Sequence, residues 1–557
     1  MADAAQAIKQ VRAYHQATKH HTSGYAPSPG FLDWDSQPNP FRRYLGAPLI
    51  PLPLVGGDGL RDYHDLYRAE GSVAAAPAND SLGLMLELAL GLSAWKTAGP
   101  DRWLLRNNPS SGNLHPTEGY LVLWRQLSDE LLPGVYHYAP FEHALERRAL
   151  LAAETAAQLQ QTSADAFGAI ALTSIPWREE WKYGSRAFRY CQHDVGHAVA
   201  AVRFASGLLG WHLGIDPCAG DDALSACLGI DRDADFSEDA EREHPDLIAL
   251  LGTSHSLGPT PSWPSVAEAL GDWRGSANLL SPERAHWPQV AQALAATHKP
   301  TLPSPPPVAP PPSIGPAHAT APRDAAGLIR QRRSAQRMDG ESTMAFADFE
   351  RTLACTLPRA DTPPFDAWPY EPAINLLLFV HRVDGLEPGL YLLNRTPQRF
   401  DALREACETE QLAWDSVENA SLPLYRLAAP ADVRKIASQF CCYQGISGRG
   451  AFSLGMLADI ARVLDAEGAW AYRRLHWEAG MIGQVLYLEA EASGLRGTGI
   501  GCFFDDEVHH LLGLGSAANA SWQTLYHFTI GGPMDDQRLG TEPAYGHLGP
   551  RPPLGDG

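Results

Sequence analysis

The chain repeats itself at a constant separation. From Arg189 and Arg473, through Gly210 and Gly494, to Gly229 and Gly513, matching residues stand 284 positions apart without a gap. Asp221-Asp222 against Asp505-Asp506, and the following "LGI" against "LGL", keep the same offset. Inside this frame "FRYCQHDVGH" (Phe188 to His197) matches "YRRLHWEAGM" (Tyr472 to Met481). Further upstream "ELLPGVYHY" (Glu130 to Tyr138) matches "DGLEPGLYLL" (Asp384 to Leu393). Two copies of a long unit indicate a duplicated domain, whereas many short copies would indicate a solenoid. At 557 residues the chain is also too long for one ordinary core.

Between Lys299 and Arg323 lies "PTLPSPPPVAPPPSIGPAHATAP". Proline this dense supplies few ladder donors and favours extended polyproline geometry, so the stretch reads as a semi-rigid spacer. The expected layout is a domain over 1–298, a linker over 299–323 and a second domain over 324–557. The spacer is long enough for the halves to pair within one chain or to exchange between chains. Periodicity predicts an amphipathic helix over Leu84–Lys96, strands over Tyr120–Trp124 and Asn375–Val380, and long helices over Arg189–Leu209 and Arg473–Ser493. Helices are expected to outnumber strands, and each half reads as α+β.

Charge narrows the partners. The net charge is −20, from 64 acidic and 44 basic residues, which disfavours nucleic acid while leaving local arginines free to hold a phosphorylated cofactor. No apolar run of about 18 residues predicts a membrane span, and no signal-type stretch opens the chain, so cytoplasm is the expected location. Eight cysteines without CxxC spacing predict neither a disulfide framework nor structural zinc. The 21 histidines form no HExxH, and no metal is expected. "GISGRG" (Gly445 to Gly450) lacks the spacing of a hydrolase nucleophile turn.

The segment "RNNPSSGNLHPTEGYLVL" (Arg106 to Leu123) offers two serines, a glycine and an asparagine, small donors that suit close approach to a flat polar heterocycle. It resembles the PSSGN loop of the nitroreductase superfamily, in the form carried by SagB-type dehydrogenases. "YHQATKH" (Tyr14 to His20), "PLIPLP" (Pro48 to Pro53) and "KYGSRAFRY" (Lys182 to Tyr190) resemble further segments of that family. So do "IRQRRSAQRMDG" (Ile329 to Gly340) and "GLRGTGIGCFFDDEVHHLLGL" (Gly494 to Leu514). The resemblance implies tandem nitroreductase-like domains, each an antiparallel-rich sheet flanked by helices, joined as an intrachain pseudo-dimer around FMN. It assigns cofactor contacts to Arg106, Pro109, Ser110, Ser111, Gly112, Asn113, Arg332, Arg333, Ser334, Gly499, Gly501, Cys502 and Arg538. Arg332, Arg333 and Ser334 are expected to open a helix and take the phosphate. Gly497, Gly499 and Gly501 are expected to bare their amides toward the flavin. A dinucleotide-type glycine motif fits poorly, because it would follow a strand and open a helix. Lys182 and Tyr183 resemble the Lys-Tyr pair of azoline-oxidising members and are the expected catalytic residues. His115 is expected either to face the ring or to hold the loop by hydrogen bonds, and Cys441-Cys442 with Gln444 lie where relatives carry Cys and Gln, either as substrate contacts or as buried packing.

Each half keeps what the other lacks. On the fixed offset Leu213, Ile215 and Pro217 replace the three glycines in the first half, and Tyr44 stands in "FRRYLG" where serine is expected. The second half has "PPFDAWPYEPAINLLLF" where PSSGN belongs. One complete FMN site per chain is therefore expected, beside one degenerate site. The favoured activity is dehydrogenation of a peptide or small natural-product precursor. The alternatives are an NAD(P)H-dependent nitro- or quinone reductase, with NAD(P)H as electron donor, a flavin-binding scaffold without catalysis, and a flavin-free interaction protein. A further homo-oligomer is compatible with all four.

Overall fold

The structure is a computed structural model, and it describes residues 2–68, 73–163, 165–237, 241–306, 308, 323–407, 409, 411–514 and 520–549. Most of the expected linker, 307 and 309–322, lies outside the described residues.

Two sheets carry the fold, and six strands of each repeat one order, the outermost edge strands not being equivalent. In the first half the order across the sheet is Leu270–Gly271, Ala144–Leu151, Gly134–Ala139, Thr117–Leu123, Ala166–Ser174, His244–Gly252, His212–Ile215. In the second it is Asp415–Ser416, Leu424–Ala428, Gly389–Leu393, Ile374–Val380, Phe452–Asp459, Trp522–Gly531, Arg496–Ile500. All these pairings are antiparallel. The central strands are buried along their whole length, because helices cover both faces.

The long helices Ala187–Leu208 and Ala471–Ala492 cross at the centre and are buried along their length. Gly196 and Gly480 make the crossing close: a Cβ on Gly196 would overlap the Trp477 carbonyl oxygen, and one on Gly480 the His193 carbonyl oxygen. These two glycines are 284 positions apart, so the crossing is a pseudo-twofold axis. Around it a repeated ion pair swaps halves. Arg189 binds Asp505 at 2.9 Å, and its equivalent Arg473 binds Asp221, the equivalent of Asp505, at 2.8 Å. One continuous hydrophobic cluster spans both halves through these helices. The halves thus pair within one chain.

Three expectations differ from what is observed. The helix expected over Leu84–Lys96 ends at Leu90, and Leu92–Ala98 is a strand. Gly91 closes the helix, its N–H meeting the Leu86 and Glu87 carbonyls. Beyond it the chain finds ladder partners in Asp101–Arg106 and in Gly540–Glu542, a strand from the far end of the chain. Strands outnumber α-helices among the described residues, 20 against 16, because short edge strands carry little periodicity. Arg332, Arg333 and Ser334 follow a helix, Ala325–Gln331, whose start is capped by Asp324.

The residues on either side of 298 form a repeated feature. Thr297 bonds the Ala293 carbonyl at 2.7 Å and the Lys299 amide meets Asp221 at 2.9 Å. Thr18 bonds the Tyr14 carbonyl, and the His20 amide meets Asp505, both at 2.9 Å. The helix Pro288–Ala296 therefore stands to the second copy as Ala2–Ala17 stands to the first. The proline-rich stretch comes after this second lead-in.

Candidate active site

A cavity of about 800 Å³ opens between the halves, and it gathers most of the expected cofactor residues. Arg106, Pro109, Ser110, Ser111, Gly112 and Asn113 line it from the first half; Arg332, Arg333, Ser334, Gly499, Gly501 and Cys502 line it from the second.

The first wall is a loop held by its own side chains. Ser110 accepts the His115 amide at 2.8 Å, His115 Nε2 meets Asn113 Oδ1 at 3.0 Å, and Asn113 donates to the Leu104 carbonyl at 2.7 Å. Gly112, Asn113 and His115 all take positive φ. At Gly112 the absent side chain matters twice, since φ is 60° and a Cβ would stand 2.5 Å from the Tyr183 hydroxyl. Asp194, from the long helix, fixes the loop by accepting the Ser111 amide at 3.1 Å and its hydroxyl at 3.2 Å. Burial keeps His115 neutral, so it braces the loop as a hydrogen-bonding group.

Cations crowd the second wall. The Arg332 guanidinium donates to the Arg106 and Asn107 carbonyls, each at 2.9 Å, and so stitches the halves together. Arg333 donates to the Arg330 and Arg332 carbonyls at 2.7 Å, and Ser334 meets the Tyr487 hydroxyl at 2.9 Å. Lys96 and Arg496 join them at the cavity. Burial, then the neighbouring Arg332 charge, pushes Arg333 down to about 10; burial does the same to Arg106. A cluster that repels itself in this way could hold an anion with several acceptor oxygens. Arg538 is not among the lining residues: exposed, it forks at 2.6 Å onto Asp536, which is.

The glycines lie on a strand, Arg496–Ile500, and in the turn after it. Their bare Cα atoms accommodate aromatic rings: Phe528 packs over Gly497, Tyr526 over Gly499 and Tyr190 over Gly501. The Gly499 amide donates to the Tyr487 hydroxyl at 2.9 Å, so that amide already has a partner.

Tyr183 lines the cavity, whereas Lys182 lies outside the lining, its ammonium 5.5 Å from the Tyr183 ring centre. Both end the helix Pro176–Tyr183. Burial raises the Tyr183 hydroxyl well above its usual value, and raises Asp194 to about 7. Glu179 beside them is buried with both carboxyl oxygens unpaired and is also raised, by burial and by Asp194. Sequence reasoning gave no role to Asp194, Lys96, Arg496, Tyr190, Tyr487 and Tyr526; Asp194 and Tyr190 share the helix Ala187–Leu208, and the other four come from three strands and the partner helix. The repeat offset could have flagged Asp194, whose equivalent is Glu478.

That equivalent place is packed shut. Glu478 pairs with Arg395 at 2.8 Å and accepts the Ala373 amide at 2.9 Å, as Asp194 accepts that of Ser111. Glu467 and Arg474 replace Tyr183 and Tyr190 and pair with each other. Buried Phe365, Trp368 and Tyr370 occupy the loop where the first half has its small residues, and the Arg474 guanidinium lies 5.4 Å over Tyr370.

Among solved structures, a "putative nitroreductase" from Anabaena variabilis superposes on 94% of this chain and 99% of its own, with a TM-score of 0.68 at 21% identity. The fold is that of a nitroreductase. The match extends over both halves of this chain. Partial matches include the E. coli microcin synthetase McbBCD complex with truncated pro-MccB17 bound, at 16% identity, 38% of this chain, 69% of that one and a TM-score of 0.25. Another is a "putative nitroreductase" from Ralstonia eutropha, at 16% identity, 41% and 97% coverage and a TM-score of 0.26. Neither score carries weight. No family model and no curated protein matches the sequence. Among the described residues no helix of the nitroreductase fold is long and apolar enough to cross a membrane.

Proposed function

We propose that this chain is an FMN-dependent oxidoreductase holding one flavin, in the cavity between its halves. The observation that carries this reading is the asymmetry of the two equivalent places. One is an open cavity with a small-residue loop on one side and a cationic cluster on the other; its counterpart is filled by ion pairs and aromatic rings.

The residues present fit the cofactor. Arg332, Arg333 and Ser334, supported by Lys96 and Arg496, would hold the phosphate. Buried polar atoms without partners line the same cavity: Arg106 Nε, Arg332 Nε, Asn108 Oδ1 and His115 Nδ1. They offer both donors and acceptors to a heterocycle whose edge carries both kinds of group. FMN, when bound, supplies the two-electron redox chemistry.

The chain supplies orientation and proton handling. Asp194, near 7, can take or return a proton at neutral pH, and Tyr183 keeps its own. A proton acceptor at the cavity suits dehydrogenation, in which a proton leaves one substrate atom and a hydride, carrying the electron pair, leaves its neighbour. We favour a peptide or small natural-product precursor as substrate for that reason, with Lys182 and Tyr183 assisting proton removal. Release and quantification of flavin from the purified protein tests the reading. One FMN per chain is the expected result; two would mean the packed counterpart also binds, and none after incubation with FMN would end the proposal.

A further inference from the structure

A line of buried charges runs through the first half and ends on the cavity loop 110–115. Arg43, partly exposed, donates to Glu146 at 2.6 Å. Glu146 meets His137 Nδ1 at 2.9 Å, and His137 Nε2 meets Glu118 at 3.0 Å. The other Glu118 oxygen takes Arg178 Nη1, which also donates to the His115 carbonyl at 2.7 Å. Arg178 Nε reaches the Asn39 carbonyl at 3.1 Å. Glu118, His137, Glu146 and Arg178 are all buried. Neighbouring strands bring three of them together: Glu118 stands on Thr117–Leu123, His137 on Gly134–Ala139, and Glu146, directly opposite His137, on Ala144–Leu151.

The geometry fixes the charge of His137. Each ring nitrogen faces a carboxylate, and an ionised carboxylate only accepts, so both nitrogens must carry hydrogen. Burial opposes a charge on the ring, but Glu118 and Glu146 outweigh it and raise His137 to about 9. Burial would likewise raise Glu118, yet Arg178 and His137 bring it down to about 2. Tyr44 and Tyr120 flank the ring at 5.3 and 5.0 Å, and both hydroxyls donate to Glu243, itself paired with Arg42. Burial and Glu243 hold both tyrosines well above their usual values, so His137 is the member of this cluster that loses charge near pH 9.

The second half carries apolar and neutral residues at the equivalent places. Pro388-Gly389 aligns with Pro133-Gly134, so Leu392 stands where His137 does. Leu392 lies opposite Tyr425, as His137 lies opposite Glu146. Across the next strand the partners are Leu377 and Tyr120, so Asn375, two residues earlier, takes the place of Glu118. Buried charge is costly to assemble, and this line accompanies the copy whose loop borders the open cavity. His115 lines that cavity with φ of 54°, a conformation that a non-glycine residue keeps when its surroundings hold it.

We propose that His137 is a positioning residue for the flavin: as an imidazolium it ties Glu118 to Glu146, which keeps Glu118 on Arg178 and so fixes the His115 carbonyl and its loop. The hold on flavin rests on FMN occupying the cavity; the hold on the loop does not. Loss of the His137 proton leaves the ring one donor for two carboxylates, so one of them is released and the loop loosens. Because the folded value lies above the unfolded one, this support is complete below 6.5 and is lost as pH rises through about 9.

Hydrogen–deuterium exchange of the flavin-free full chain at pH 7, followed by mass spectrometry, reads the loop directly. His137→Gln and Arg178→Gln should each speed exchange across 111–115 at least about tenfold, and the double variant no more than either alone. The strand Ile374–Val380 is the reference and should not change. The Kd for FMN, followed by fluorescence quenching against pH, is the second readout. In the wild type it should rise with a midpoint near pH 9, and in His137→Gln it should be at least about tenfold weaker at pH 7 without that step. Glu146→Gln removes one of the two carboxylates and should move the midpoint down by about one unit, a shift that a merely structural histidine would not give. That variant decides the matter if His137→Gln also exposes the reference strand. Unchanged loop exchange in His137→Gln, additive losses in the double variant, or an unmoved midpoint in Glu146→Gln overturns the proposal. Absence of FMN binding by the wild type sinks the cofactor reading instead, and the exchange measurement then judges the hold on the loop.

Discussion

Asp194 connects loop geometry to pH. Its carboxyl, ordinarily at 3.8, is raised to about 7 by burial, and the serine hydrogen bonds only partly offset that. The folded value therefore lies above the unfolded one. Its contribution to stability is complete below 3.8 and is lost as pH rises through 7. Every tenfold difference in proton affinity between the folded and unfolded chain is worth about 1.4 kcal/mol, so the effect is measurable. Asp194→Asn should flatten the decline of Tm between about pH 5 and 7.5 in thermal melts of flavin-free protein; an unchanged slope would assign the decline to other groups. Lys182→Ala and Tyr183→Phe should each lower turnover about tenfold or more with flavin content unchanged. Full turnover in both would leave them as packing residues. The PSSGN loop was legible because its composition is unusual. Lys96 was not, since a lone cation on a strand has no pattern until folding brings it to the cavity.

Elements were read best where periodicity was long. Both central helices lie within two residues of their expected limits, Ala187–Leu208 and Ala471–Ala492. The strand Leu92–Ala98 was missed because its pairing partners include Gly540–Glu542, more than 400 residues away. The paired helices also predict an asymmetry. Asp505 is held by both Arg186 and Arg189, whereas Asp221 has Arg473 as its one arginine partner among the described residues, with Trp470 at the position equivalent to Arg186. Arg473→Ala strips a buried carboxylate of its arginine and should cost about 3–5 kcal/mol. Arg189→Ala leaves Arg186 in place and should cost clearly less. Denaturant unfolding of the two variants checks the order, and equal losses would refute it.

At the scale of the molecule the halves are laced together by more than their central helices. Lys19 pairs with Asp506 at 2.7 Å, bringing the N-terminal lead-in onto the second half. The strand Gly540–Glu542 returns the exchange on the first. Burial this extensive should survive loss of the covalent connection. A protease site placed within 309–322 and cut in the folded protein should leave two fragments that co-elute in gel filtration and retain FMN. Separation on cutting would mean that the connection, and not the interface, holds the pseudo-dimer.

The duplication, its 284-residue offset and the split of site motifs between the copies were all present in the order of residues, because repetition and unusual composition are properties of the chain itself. The sequence also implied which copy had lost which motif. Tertiary structure alone decided that the copies cross at Gly196 and Gly480, that Asp194 braces the loop, and that Phe365, Trp368 and Tyr370 close the second site. Each of those outcomes depends on which side chains are brought within a few ångströms across hundreds of residues. Local pattern carries no measure of that distance.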